Sequence, residues 1–169
     1  MKSRIFLSFH KKVTLITFIG LSLWIAGIVI TPILANREEI FFQKIASFMH
    51  FFYQPVCHQI ANRSFLIDGF TMTVCVRCFA FYFGGLFITI FYLFKDKMQM
   101  WSISTYILLA LPALFDFLIE KFRLYSNITE LRFLTGLLFG AVLFHLLLVS
   151  LSTKKVKPVL HHSKTPNTQ

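Results

Sequence analysis

Four apolar runs, each long enough to cross a lipid bilayer, constrain this chain more than any other feature. They span about 13–34, 74–94, 104–119 and 133–151. A hydrocarbon core of roughly 30 Å needs on the order of 20 residues rising about 1.5 Å each. Inside that core every backbone N–H and C=O must be satisfied within the chain, so such runs become helices. The expected fold class is all-α, an integral membrane bundle of four transmembrane helices. The third run is the shortest and holds Pro112 and Asp116. The N–H that Pro112 lacks loosens one turn, which neighbouring helices tolerate in a membrane.

Charge is scarce and placed at the ends of these runs. Of 169 residues 56% are hydrophobic and 14% charged, with 22 Phe, where a soluble domain carries about a quarter charged. The net charge of +10 does not point to nucleic acid, because the bases flank the membrane runs. The first run exceeds a signal peptide's apolar stretch, and Ile33 and Ala35 fit a cleavage site poorly, so it reads as a retained helix. Residues 1–153 read as a single transmembrane domain without an internal repeat. Residues 154–169 are polar, carry His161 and His162, and read as a disordered tail.

Lys and Arg set the expected orientation. Lys2, Arg4, Lys11 and Lys12 precede the first run, Lys95 and Lys97 follow the second, and Lys154, Lys155 and Lys157 follow the fourth. With four spans these share one side, which the positive-inside bias makes cytoplasmic. Both termini are then cytoplasmic in a multi-pass cell-membrane protein, and the connection from Asn36 to Thr73 lies outside. Its first half, Glu39 to Tyr53, repeats Phe41, Ile45, Phe48, Met49 and Phe52 at spacings of three and four. That pattern predicts an amphipathic interfacial helix between the first and second spans. Pro55 ends or bends it.

The chemistry-bearing residues follow. Cys57-His58 sits in the connection, and Cys75-Val76-Arg77-Cys78 opens the second span. Two sulfurs three residues apart share one side of a helical turn, and a further sulfur and imidazole complete the inventory of a Cys₃His zinc site. Cys57, His58, Cys75 and Cys78 are the candidate metal ligands, with zinc as the cofactor. Two other readings stand beside this one. Cys75 and Cys78 could exchange disulfides, with Arg77 favouring the thiolate, or all three cysteines could be inert small hydrophobes. Adjacent residues in an extended segment point apart, so Cys57 and His58 ligate together only if the backbone turns there.

The same topology carries Asp116 and Glu120, four residues apart on one helical face, to the cysteine end, with Arg132 opening the fourth span there. A carboxylate inside a span is costly and calls for a partner. Arg132 is the first choice by depth and Arg77 the second. Asp116, Arg77 and Arg132 are the candidate catalytic group, and a structural Asp–Arg lock between helices is the alternative. His145, in the inner half of the fourth span, reads as a hydrogen bond between helices, and His50 as a weaker ligand candidate than His58. Gly84-Gly85 and Gly136-x₃-Gly140 read as close-packing positions.

These residues resemble a family of small prokaryotic membrane proteins designated domain of unknown function 2085. The family pattern of Cys-His-Gln, Arg-Ser, a Gly and Cys-x-Arg-Cys is met by Cys57-His58-Gln59, Arg63-Ser64, Gly69 and Cys75 to Cys78, with Tyr82 and Gly84 following. Its later half is met by Asp116, Asn127, Arg132 and Thr135-Gly136. The resemblance covers roughly 48–141. Phe117 and Phe79-Ala80 stand where the family often has Gly, which bears on local packing more than on the ligands. The resemblance groups the sulfurs, His58, Asp116 and Arg132 into one pattern and implies no activity.

The expected function is a metal-binding membrane protein with zinc at the outer face, beside an Asp/Arg pair that takes an anionic, lipid-like ligand. If only three sulfurs ligate, a water fills the fourth position and Asp116 could serve as its base in a hydrolase. The alternatives are a thiol–disulfide redox protein and a small transporter or assembly factor. The expected partner is the lipid bilayer, with the oligomeric state open, a dimer included.

Overall fold

The computed structural model describes residues 2–95, 99–122 and 128–153, with side chains between residues 10 and 152 of those segments. Lys97, Asn127 and the tail that begins at Lys154 lie outside the described residues. Among the described residues five α-helices run in the order α1 (Lys2–Ala35), α2 (Ile40–Tyr53), α3 (Val76–Phe94), α4 (Ile103–Lys121) and α5 (Thr129–Thr153). Among them α1, α3, α4 and α5 are long and apolar enough to cross a membrane. Each expected span is found, and the first, third and fourth extend beyond the expected bounds at both ends. The second starts later than expected, so that Cys75 becomes the N-cap of α3 and Cys78 falls in its first turn.

The bundle is built on α3 and α5, with α1 packed on α3 and α4 leaning on α5. Glycine makes the central pair close. A Cβ added at Gly140 would lie 1.9 Å from the Phe81 carbonyl oxygen, and one at Gly84 would lie 2.1 Å from that of Leu137. Both obstacles are backbone and cannot swing aside, so only glycine allows this approach. Gly136 plays the same part beside the site: a Cβ there would meet the Arg77 carbonyl oxygen at 2.5 Å. The helix contact therefore fixes the turn that carries Arg77.

Helix α4 runs through Pro112 without ending, and Asp116 is its buried residue. Ile107, Leu108, Leu114, Phe115 and Phe117 are exposed, as a lipid-facing helix requires. At the end of the bundle away from the cysteines, His145 is fully buried. Its Nδ1 lies 2.9 Å from the Tyr106 hydroxyl of α4, and Trp101 stacks on its ring at 3.9 Å. His145 thus links two helices.

The amphipathic segment forms α2 and uses both of its faces. Ala46 and Tyr53 are buried against the bundle, and the Tyr53 hydroxyl donates to the Trp24 carbonyl in α1 at 2.9 Å. Phe41, Phe48, Phe51 and Phe52 point outward. A 3₁₀ turn over Gln54–Val56, with Pro55 in it, ends the helix. Beyond it the chain makes a hairpin, β1 (Leu66–Ile67) and β2 (Phe70–Thr71), paired Leu66 to Thr71 and Ile67 to Phe70. The two-residue turn is Asp68-Gly69, with φ of 50° and 84°. Positive φ at both positions suits an Asp-Gly turn, which sets the register of so short a ladder.

Candidate metal and anion site

The three cysteines meet at one end of the bundle. Cys57 arrives from the extended stretch after α2, Cys75 caps α3, and Cys78 lies one turn in. Their sulfurs all fall within 4.8 Å of one another, and Cys75 Sγ is 3.4 Å from Cys78 Sγ. Zinc bound to thiolates at about 2.3 Å would hold sulfurs about 3.8 Å apart. The Cys75–Cys78 pair would open by a few tenths of an ångström to meet that geometry, and any wider pair would close toward it.

Local structure brings Cys57 in. Its side chain is buried with Ile28, Tyr53, Met72 and Val74. Its sulfur accepts the Cys75 backbone N–H at 3.1 Å. Gln59 anchors the segment, donating from Nε2 to the His50 carbonyl at 2.7 Å. It does so with a φ of 52°, a conformation uncommon for a residue with a Cβ. The Gln of the Cys-His-Gln run is thus a backbone anchor for the sulfur two residues earlier. Hydrogen bonds from the Cys75 and Cys78 side chains hold the Cys57 thiol far below its ordinary range. The same contact with Cys57 pushes the Cys75 thiol up. These contacts favour the thiolate form of Cys57, and the N-terminus of α3 adds a favourable field.

His58 stands apart from the sulfurs. Cys57 is extended, with φ −153° and ψ 140°, so its neighbour is carried to the other side. His58 is exposed, and among the described residues the ligand group is Cys57, Cys75 and Cys78. Of the expected four-ligand set the three sulfurs group together, and His58 lines the same cavity outside that group.

Beside the sulfurs lies an ion-pair network. Arg77, between the two cysteines of α3, reaches across to α4 and pairs with Asp116 and, at 2.9 Å, with Glu120. Asp116 is buried and also accepts the Thr135 hydroxyl of α5 at 3.1 Å. Arg132, the first expected partner of Asp116 by depth, closes on Glu120 at 2.8 Å. Arg63 closes on Glu120 from the loop at 2.5 Å. A carboxylate with a matched guanidinium and a hydroxyl is the arrangement that makes a buried charge bearable.

Sequence reasoning placed Asp116, Arg77 and Arg132 in one group, and the structure brings them together. Glu120 and Arg63, which the topology carries to the same end, and Thr135, met in the family pattern, join them there without having been given a role. The signals were present: Glu120 follows Asp116 by four residues, Thr135 follows Arg132 by three, and Arg63 opens the Arg-Ser pair. A cavity of about 610 Å³ joins the two halves of the site. Its lining includes all three cysteines, Arg63, Arg77, Arg132, Lys121 and Glu120, with Val56, Ile60 and Phe117 as apolar wall.

Fold and site together define a four-span membrane protein with a cysteine triad set against an arginine–carboxylate network. The chain belongs to the family described as predicted membrane protein (DUF2085), whose model matches residues 57–146, from the first cysteine into the second half of α5. It is 35% identical over 143 residues to an uncharacterized protein of Methanocaldococcus jannaschii, covering 81% of this chain and 92% of that relative. No solved structure matches this chain.

Proposed function

We propose that Cys57, Cys75 and Cys78 hold a zinc ion at the outer face of the membrane, and that the arginine–carboxylate network beside it binds an anionic, lipid-like ligand. The observation that carries this reading is the convergence of three sulfurs, from two separate segments, inside 4.8 Å. Three protein ligands leave a fourth position, and all three sulfurs line the cavity. Zinc with an open position supplies Lewis acidity and an activated water. Arg77 and Arg132 would face the ligand. Asp116 pairs with Arg77 and accepts from Thr135, which suits it to positioning Arg77.

The test is elemental analysis of the protein purified without chelator. About one zinc per chain is expected, as for one tetrahedral site, and His58→Ala should leave that content unchanged. Loss of zinc in His58→Ala would restore the imidazole to the ligand set. A second reading, thiol–disulfide exchange, draws on the 3.4 Å approach of Cys75 and Cys78. Metal-free protein with a reversible Cys75–Cys78 disulfide would select it.

The proposed orientation, with both termini cytoplasmic, rests on Lys and Arg at the far ends of the spans. After metal removal, a membrane-impermeant thiol reagent should label the cysteines in intact cells. Labelling confined to lysed cells would place the triad on the cytoplasmic side.

A further inference from the structure

Glu120 occupies the centre of the arginine cluster as a ligand would. Its carboxylate meets Arg63 at 2.5 Å, Arg132 at 2.8 Å and Arg77 at 2.9 Å. These four residues come from the loop before β1, from α3, from α4 and from α5, so separate parts of the fold converge on one anion. Among the described residues the guanidiniums still hold unused donors. The Nε atoms of Arg77 and Arg132 are buried without an acceptor among those residues, and the Arg132 side chain is 6% exposed. Buried charged donors left unmade are costly, and native proteins rarely keep them without a reason.

Charge count points the same way. Arg63, Arg77, Arg132 and Lys121 line the cavity, against Glu120 in the lining and Asp116 behind Arg77. Cations outnumber carboxylates by four to two. A carboxylate offers two oxygens in one plane and a single charge. It cannot satisfy three guanidinium forks approaching from different elements. A phosphoryl group offers three acceptor oxygens and nearly twice the charge.

We infer that the cavity binds a phosphate group in the cluster of Arg63, Arg77 and Arg132, and that Glu120 is its resident stand-in, displaced as phosphate enters. This deepens the anionic-ligand reading given above and rests on it, but not on the zinc. The phosphate can come from a lipid headgroup or from solution. Val56, Ile60 and Phe117 on the cavity wall are all exposed, so the wall continues onto an apolar surface where acyl chains would lie.

Binding is measured on the full-length protein in phosphatidylcholine nanodiscs, with inorganic phosphate and with short-chain phosphatidic acid as probes. Saturable binding of either is expected, and tighter binding of phosphatidic acid would identify the lipid source. Glu120→Gln keeps the shape and removes the competing charge, so it should tighten phosphate binding by about tenfold or more. Phosphate should also raise the melting temperature of Glu120→Gln more than that of wild type. If Glu120→Gln does not fold, Arg63→Gln serves instead. Its partly exposed side chain should cost little stability while weakening phosphate binding by about tenfold.

The inference is overturned if neither probe binds saturably. It is also overturned if Glu120→Gln binds phosphate no more tightly than wild type, because Glu120 is then a permanent bridge. A Cys75→Ser/Cys78→Ser variant separates the two proposals. Phosphate binding that survives in it keeps this inference even where elemental analysis finds no zinc.

Discussion

Asp116→Ala should destabilise the protein by about 3–5 kcal/mol, the usual cost of removing one partner from a buried charge pair. Asp116 is buried in α4, paired with Arg77 of α3 and hydrogen-bonded to Thr135 of α5. It therefore ties three helices together at one point, beside the ion pairs that Glu120 makes with α3 and α5. Without it, Arg77 keeps only a share of Glu120, which Arg63 and Arg132 also engage. Three guanidiniums would then crowd one carboxylate, and their mutual repulsion adds to the lost bond. Asp116→Asn, which keeps the volume and the hydroxyl contact, isolates the charge. In a double-mutant cycle measured by unfolding in detergent, Asp116→Ala and Arg77→Ala should be non-additive by about 0.5–3 kcal/mol. Additivity to within a few tenths would show that the pair contributes nothing as a pair.

The span positions were legible because a bilayer leaves an apolar run few other fates. The depth of the site followed from them: once four spans are set, Cys57, Cys75, Asp116, Glu120 and Arg132 must share one end. Partner choice within that depth was not legible. Arg77 and Arg132 both lie at the level of the carboxylates. Which one takes Asp116 depends on how α3 and α5 are rotated, and that rotation is set by Gly84, Gly136 and Gly140 meeting backbone on the facing helix. The glycine spacing was visible in the sequence, but its consequence for Arg77 needed the contact itself.

His58 teaches a related lesson. Its type and neighbour suit a zinc ligand, while the extended backbone at Cys57 sets the imidazole outside the sulfur group but still on the cavity lining. The Asp68-Gly69 hairpin was legible from its dipeptide and was not drawn from it. Its role is to return the chain from Arg63 towards Cys75, so that a loop arginine and an α3 sulfur line one cavity.

Removing any one cysteine of the triad should weaken zinc binding by more than about 100-fold, because even partners outside the ligand shell are worth roughly 10–100-fold. The three should differ in what else they lose. Cys78→Ser affects a sulfur in the first turn of a helix that is otherwise held by its contact with α5, so its effect should be largely confined to metal content. Cys57→Ser should do more. Cys57 is packed with Ile28, Tyr53, Met72 and Val74, and its sulfur takes the Cys75 N–H. The metal would thus clip the connection after α2 onto the start of α3, and metal binding would contribute directly to the stability of that junction. Chelation of wild type should lower its melting temperature to that of Cys78→Ser, and zinc should restore wild type alone. Melting temperatures indifferent to chelator and zinc in all variants would show that the triad holds no structural metal, and the Cys75–Cys78 thiol pair would become the better account of the cluster.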